Sequence, residues 1–242
     1  VAARVVPKVG GAAPAMAAVG PEVGGPYVAW ADVVDVLLLQ AGDELHLVSP
    51  DAVVLTPQPT VDRGRPTFSV QWTPAPATRL AVGGDEVGAA FERGALGTAA
   101  QLLGVADRMI EMTAEYARQR EQFGKPIGSF QAVKHLLADA LLKLDFARPV
   151  VYRAAWSVAH PDAAGVVVRR DVSMAKAYAS EAAVRAARVA LQIHGAIGYT
   201  WEHDLHLWMK RAWVLADAWG DARWHRERVA SWLLGPAGPP AR

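Results

Sequence analysis

From residue 83 onward the sequence carries long apolar stripes at helical spacing, and this feature limits the fold more than any other. The clearest stripe repeats every three or four positions, through Leu96, Ala99, Leu103, Ala106, Ile110 and Thr113. Such spacing places side chains on one face of a helix. Further helices are predicted near 130–144, 166–193 and 203–235, joined by short connections. Four long helices with short connections predict a bundle over 83–235.

The residues before this bundle have a different pattern. Short runs of β-type residues, separated by Gly, Pro and Asp, lie at 27–30, 33–39, 45–48 and 68–72. They predict a small antiparallel sheet over 27–82, which has little core of its own. Residues 1–26 are rich in Ala, Gly and Pro and predict a flexible lead, and 236–242 predict a tail. The predicted fold class is therefore α+β, a β-sheet fragment followed by a C-terminal four-helix bundle.

Composition excludes several classes of function. The 25 Lys and Arg against 24 Asp and Glu give a formal net charge of +1, which provides no global field for nucleic acid or an anionic membrane. There is no Cys, so disulfides and thiol nucleophiles are excluded and a cytoplasmic location is expected. No apolar run approaches the ~20 residues of a membrane-spanning helix. Pro7 and Gly10 interrupt the N-terminal apolar residues, so no signal peptide is predicted.

Tryptophan is concentrated near the end of the chain. Six of the nine tryptophans lie between Trp201 and Trp232, on or beside the last predicted helix. One helix cannot bury so many indole rings within its own bundle, so this helix is expected to form an interface on its outer face. The protein is therefore predicted to be an oligomer.

A first candidate motif lies at 120–131, where a helix end leads through a Gly- and Pro-rich turn into a new helix. Gly124, Pro126 and Gly128 end the first helix, and Ser129 is placed to cap the second. Arg120, just before the turn, can clamp a phosphate group through two N–H donors. From spacing alone, the favoured interpretation is an ordinary helix–helix loop with an exposed arginine.

A second candidate motif lies at 192–206. Gly195 and Gly198 allow positive φ or a close backbone approach to a ligand, and Gln192 offers an amide. An ordinary helix C-cap turn accounts for the same glycines. Three histidines lie in this segment: His194, His203 and His206. No metal site is predicted, because no carboxylate-x-x-His pair recurs on other helices.

Together the two segments resemble the acyl-CoA dehydrogenase family, in its C-terminal half. The family shows an R-x-x-F-G-x-x-I-x-x-F-Q type segment and a later Q-x-x-G-G-x-G-[FY]-T-x-E segment. This chain has RQREQFGKPIGSFQ and QIHGAIGYTWEHD, with Ala196 at the second glycine of the pair. The resemblance covers roughly 27–234. Nothing in the chain resembles the family's N-terminal helical domain or the Thr-Glu-Pro and Gly-Ser-Asp segment that begins its β domain.

The resemblance implies an FAD-dependent enzyme that oxidises an acyl-CoA thioester to the trans-2,3-enoyl-CoA and passes electrons to an acceptor. In the family, a carboxylate removes the α proton and the β hydride goes to the flavin. The residues that match cofactor contacts of the family are Arg120, Gln122, Phe123, Gln192, Gly195 and Gly198. Arg120 corresponds to a contact with the pyrophosphate across a subunit interface. Such a shared site implies a homo- or hetero-oligomer, at least a dimer.

The family's catalytic base has no clear match. In many members it is the Glu of a Tyr-Glu-Gly turn, and counting from the second motif places Trp219 there. In others it lies on the first long helix, where counting places Gly94. Glu92 and Asp217 are the nearest weak candidates. Glu202 matches a family glutamate whose expected role is to cap the last helix.

Three interpretations follow from this pattern. The chain is a subunit that needs a partner for the catalytic carboxylate, as in actinobacterial steroid-degrading members of the family with an α2β2 assembly. Alternatively, it is a homo-oligomeric enzyme with a relocated base. The third interpretation is a truncated non-catalytic paralogue that serves as a bundle or interaction subunit.

Overall fold

The computed structural model describes residues 17–20 and 27–235 of the 242-residue chain. These residues fall into two compact units, the first ending at Gly97 and the second beginning at Thr98. The predicted tail lies outside the described residues. So does the predicted lead, apart from a short strand, Ala17–Gly20 (β1).

The first unit contains two small sheets. The remaining strands are β2 (Val28–Ala29), β3 (Val36–Ala41), β4 (Glu44–Val48), β5 (Val54–Gln58), β6 (Thr67–Gln71) and β7 (Arg79–Val82). One sheet has the order β1-β3-β4-β7 and the other β2-β6-β5. All pairs are antiparallel except β1 with β3, which are parallel. The predicted α+β class is confirmed, although two sheets replace the single sheet that was expected.

Strand β3 is buried on both of its faces, because Leu38 is buried as well as its two neighbours. Leu37 and Leu39 on β3 are fully buried, and they pack in one cluster with Val48 and Phe68. The sequence pattern missed β5 and β7, which are both edge strands. β5 contains Pro57, and proline has no N–H for a ladder hydrogen bond, so such a strand is confined to an edge and gives a weak signal.

Five helices follow within residues 84–234, where four were predicted. They are α1 (Gly84–Gln119), α2 (Gln131–Ala159), α3 (Val168–His194), α4 (Leu205–Asp217) and α5 (Ala222–Leu234). In the second unit α3 packs against α2, α4 and α5, so it is the central helix. Its small residues are buried, at Ala175, Ala179, Ala182, Ala183, Ala186, Ala187 and Ala190. Small side chains at helical spacing allow this close packing.

A buried carboxylate also joins α2 to α3. Asp171 accepts hydrogen bonds from the Ser157 hydroxyl at 2.6 Å and from Arg153 at 3.3 Å on α2. Arg170 donates to the same carboxylate at 2.8 Å. A buried charge needs such partners to offset its desolvation.

The last predicted helix is interrupted between α4 and α5. Trp219 and Gly220 have φ angles of 63° and 88°, and two successive residues in the left-handed region end a helix. Asp221 then caps α5, accepting a hydrogen bond from the Trp224 N–H at 2.7 Å. The pair Gly220-Asp221 is a sequence signal for the end of one helix and the start of another, but the apolar residues on both sides favoured one continuous helix.

Two predicted caps are wrong. Ser129 belongs to a 3-10 turn, and the residue at the start of α2 is Phe130, with no side-chain cap. Glu202 is exposed and lies before the N-cap position of α4, which Asp204 occupies. In that helix the Leu205 N–H donates to Nδ1 of His203 at 3.1 Å, so an imidazole takes the role expected of the glutamate.

The tryptophans near the chain end are partly covered by cations of the same chain. Lys210 lies 3.7 Å from the ring centre of Trp201, and Arg228 and Arg170 lie over Trp224 and Trp232. These contacts occupy one face of each ring. The interface predicted from these tryptophans therefore stays a prediction, with less free aromatic surface than their number suggested.

Candidate functional site

The first motif forms a small hairpin at the end of α1. Strands Glu121–Gln122 (β8) and Lys125–Pro126 (β9) pair antiparallel, and only Phe123 and Gly124 connect them. Both connecting residues have positive φ, 54° and 73°, the geometry of a two-residue hairpin turn. Positive φ at a bulky residue is strained, and the ring of Phe123 is 92% exposed. The hairpin therefore presents an aromatic ring outward on a tightly defined turn.

The second motif forms the end of α3. Gly195 has φ 63° and ends the helix, and a 3-10 turn follows over Gly195–Tyr199. Gly198 does not have the positive φ that was one of its two expected roles. It is buried, and a Cβ there would lie 3.1 Å from both Leu191 Cδ1 and His194 Cβ, so the close packing favours glycine. Gln192 is exposed on the last turn of α3.

The structure brings the two motifs to the same end of the second unit. Tyr116, one turn before Arg120, stacks on His194 with ring centres 4.3 Å apart. Ala117 and Ile193 belong to one buried apolar cluster beneath them. Arg120, Gln122 and Phe123 are exposed beside this junction. The end of α1 and the end of α3 thus pack against each other, and these two segments carry an exposed guanidinium, aromatic ring and amide.

The model of the acyl-CoA dehydrogenase C-terminal domain matches residues 83–234, which include all five helices. The chain belongs to the acyl-CoA dehydrogenase family. Both motifs lie inside the matched region, as the resemblance implied.

Individual members of the acyl-CoA dehydrogenase family are similar over most of this chain. Acyl-CoA dehydrogenase IpdE2 of Mycolicibacterium smegmatis is 38% identical over 203 residues, 84% of this chain and 60% of the relative. The ChsE4-ChsE5 complex from Mycobacterium tuberculosis is structurally similar, with a TM-score of 0.78, 30% identity and coverage of 94% and 65%. A Tcur3481-Tcur3483 steroid acyl-CoA dehydrogenase variant gives a TM-score of 0.76 at 25% identity, over 92% of this chain and 63% of the other. The chain spans 60% or less of the length of several curated relatives that it matches.

Many members of the family carry the base at a position that counting from the second motif places in the turn between α4 and α5. Trp219 occupies it, and its carbonyl accepts a hydrogen bond from Nε2 of His225 at 2.8 Å. His225 is fully buried, and this burial lowers its pKa to about 4, so the ring is neutral near pH 7. The Trp219 indole offers only an N–H donor and cannot accept a proton.

The two candidate carboxylates have different surroundings. Glu92 is buried on the first half of α1. Asp217 is exposed at the end of α4 and lines a cavity of about 530 Å³ in the second unit, together with Arg185, Arg188 and Arg223. Asp217 therefore lies in a charged hollow, unlike the apolar pocket that an acyl chain needs.

A buried lysine that the sequence analysis did not single out fixes this turn. Lys176 on α3 is fully buried, and its Nζ donates to the carbonyls of Ala216 at 2.8 Å and Gly220 at 3.0 Å. A third bond of 3.0 Å goes to the Ser180 hydroxyl. Burial lowers the pKa of Lys176 to about 8, although nearby aspartates act in the opposite direction. The only sequence signal was a single lysine among the alanines of α3.

Gly220 allows a test of how tightly this turn is packed. A Cβ at Gly220 would lie 2.6 Å from Cε3 of Trp224, and the φ of 88° is unfavourable for any other residue. We expect Gly220→Ala to lower the free energy of unfolding by about 2–4 kcal/mol, the sum of backbone strain and displacement of the indole. Chemical denaturation followed by tryptophan fluorescence measures this loss.

The matched control is Gly165→Ala. Gly165 has a similar φ of 74°, but a Cβ there would meet no atom within 4 Å. That variant is expected to lose only the backbone contribution, about 1 kcal/mol. Equal losses in the two variants would show that the turn is not closely packed around Gly220.

Two kinds of feature are absent from the described part of the chain. Residues 17–20 and 27–235 contain no group of three or more His, Asp or Glu side chains arranged to hold a metal ion. No helix in that part is long and apolar enough to cross a membrane.

Proposed function

We propose that this chain is a subunit of an FAD-dependent acyl-CoA dehydrogenase that oxidises an acyl-CoA thioester to the trans-2,3-enoyl-CoA, and that a partner subunit supplies the catalytic carboxylate. One observation carries the proposal. The end of α1 packs against the end of α3, and Arg120, Phe123 and Gln192 are exposed on these two segments, while counting from the second motif places Trp219 at the position of the base.

The exposed residues fit FAD by their chemistry. Among the described residues, Arg120 has no ion-pair partner, so its guanidinium is available to a pyrophosphate. The exposed ring of Phe123 offers a flat apolar contact, and Gln192 offers an amide donor and acceptor. FAD supplies acceptance of the hydride when it is bound. In this proposal the residues of this chain bind and orient the cofactor, while the partner subunit holds the substrate.

The need for a partner follows from the position of the base. A proton at the α carbon must move to a carboxylate or an equivalent base. Trp219 provides none, Asp217 lies in a charged hollow, and the chain is similar to members of the ChsE4-ChsE5 and Tcur3481-Tcur3483 assemblies. We therefore place the base in a second, different acyl-CoA dehydrogenase chain. The assembly would be a hetero-oligomer with a shared cofactor site, and an electron-transfer protein would be its acceptor.

Glu92→Gln and Asp217→Asn test where the base lies. Each variant, co-expressed with the partner chain and assayed with an artificial electron acceptor, is expected to retain turnover within about twofold. Removal of a general base costs roughly 10²- to 10⁴-fold. A loss of that size in either variant would place the base in this chain and contradict the proposal. Glu115→Gln, an exposed substitution elsewhere on α1, is the control.

The same assay separates the proposal from the other interpretations. Turnover by this chain alone would support a homo-oligomeric enzyme with its own base. A stable assembly that never takes up flavin would support a bundle subunit without a catalytic role.

A further inference from the structure

The contact between the two motifs runs through three aromatic side chains: Tyr116, His194 and His203. Tyr116 and His194 are stacked at 4.3 Å with an angle of 18° between the rings. His203 meets both edge-on, at 4.6 Å from His194 and 6.2 Å from Tyr116. We refer to these three residues as the aromatic cluster.

The aromatic cluster is connected by backbone to each proposed cofactor contact. The Arg120 N–H donates to the carbonyl of Tyr116 at 2.8 Å. The Tyr116 hydroxyl donates to the carbonyl of His194 at 3.5 Å, and His194 lies two residues after Gln192. A short path therefore joins Arg120 to Gln192 through one stacked pair.

Hydrogen bonds fix the orientation of both imidazoles. Nδ1–H of His194 donates to the carbonyl of Ala190 at 2.8 Å, and Nδ1 of His203 accepts from the Leu205 N–H at 3.1 Å. His194 is 3% exposed, and its Nε2 has no hydrogen-bond partner within the described residues. Burial lowers the pKa of His194, and the nearby His203 lowers it further. The neutral ring that results stacks on Tyr116 without the cost of a buried, unpaired charge.

We propose that Tyr116 and His194 are positioning residues: their stack holds the hairpin of Arg120 in register with the end of α3, and this register sets the affinity for the cofactor. The inference deepens the proposed function and rests on it for the cofactor. An aromatic stack is rigid and directional, so it limits how far the hairpin moves relative to Gln192. Preorganised contacts bind more tightly because less ordering is needed on binding.

Limited trypsin digestion tests whether the stack holds the hairpin against the end of α3, and this experiment needs no flavin. Cleavage after Arg118 requires local opening of the last turn of α1, and cleavage after Arg120 requires opening at the start of the hairpin. Tyr116→Leu and His194→Leu remove the stack and are expected to raise the cleavage rate at these bonds about tenfold. Tyr116→Phe keeps the ring and is expected to stay within about twofold of the parent chain.

The matched control is Trp156→Leu, which removes a second stacked pair of the same unit. Trp156 stacks on His160 at 4.9 Å, near the C-terminal end of α2. That helix begins beside the hairpin at Gln131, so Trp156 lies about 38 Å along the helix from its start. Trp156→Leu is expected to leave cleavage after Arg120 unchanged. An equal rise in this control would show general loosening and overturn the positioning role, as would no change in Tyr116→Leu.

Titration of the flavin-free assembly with FAD tests whether the stack of Tyr116 on His194 sets the affinity for the cofactor. The two Leu variants are expected to bind FAD about tenfold more weakly, with Tyr116→Phe restoring affinity to within about twofold. Unchanged affinity in both Leu variants would overturn the link to the cofactor. If the parent assembly binds no FAD, the proposed function fails, and the digestion result still decides whether the stack holds the hairpin.

Discussion

Replacing Arg120 with alanine should weaken FAD binding by the assembly roughly 10- to 100-fold. Hydrogen bonds to charged groups contribute about 1.5–3 kcal/mol, and 1.4 kcal/mol corresponds to a factor of ten. The backbone of Arg120 is held on both sides, since its N–H donates to Tyr116 and its carbonyl accepts from the Ile127 N–H at 2.8 Å. The side chain of Arg120 therefore extends from a backbone position that two hydrogen bonds hold in place. Fluorescence titration of the flavin-free assembly with FAD measures the change.

Two further variants make this result specific. Arg118→Ala removes a neighbouring exposed arginine from the same helix end and should leave FAD affinity within about twofold. Arg120→Lys keeps the charge but loses the paired N–H donors, so an intermediate affinity is expected. An Arg120→Ala assembly that binds FAD as well as the parent would remove Arg120 from the cofactor site.

Replacing Lys176 with methionine should lower the free energy of unfolding by about 2–4 kcal/mol. The substitution leaves the buried carbonyls of Ala216 and Gly220 without their donor, and each unsatisfied buried group costs about 1–3 kcal/mol. Relief of the buried charge offsets part of this loss. Lys143→Met, at an exposed lysine of the same unit, should change the free energy of unfolding by less than about 0.5 kcal/mol.

The Lys176→Met prediction also has a pH signature. The pKa of Lys176 is lowered from 10.5 to about 8 in the folded chain, so the unfolded chain binds more protons between these pH values. The contribution of Lys176 to stability therefore rises from pH 8 to pH 10.5. Denaturation of parent and variant across this range should show the difference between them growing with pH. A constant or shrinking difference, or a variant as stable as the parent, would contradict the role assigned to Lys176.

The helical periodicity predicted most of the second unit because its helices bury one face over many turns. The stripe from Leu96 to Thr113 lies in α1, and the alanines of α3 are buried as expected. The break between α4 and α5 was missed, because it depends on Trp219 adopting a positive φ that a bulky residue rarely adopts. Such a conformation is held by tertiary contacts, here from Lys176 and His225, which no local pattern reveals.

The sequence likewise predicted only part of the candidate site. Motif spacing located Arg120 and Gln192, and the structure places both segments at one end of the second unit. The stack of Tyr116 on His194 was not predicted, because the two residues are 78 positions apart and no short-range sequence pattern links them. The packing role of Gly198 likewise depends on Leu191 and His194 folding back over it.

The visible absorption spectrum of the purified protein, alone and co-expressed with a second acyl-CoA dehydrogenase chain, tests the central claim most directly. We expect the co-purified assembly to be yellow, with the blue-light absorption of bound flavin, and the Arg120→Ala assembly to lose this colour on gel filtration. A stable, colourless assembly that remains colourless after incubation with FAD would contradict the claim that this chain contributes to a shared flavin site.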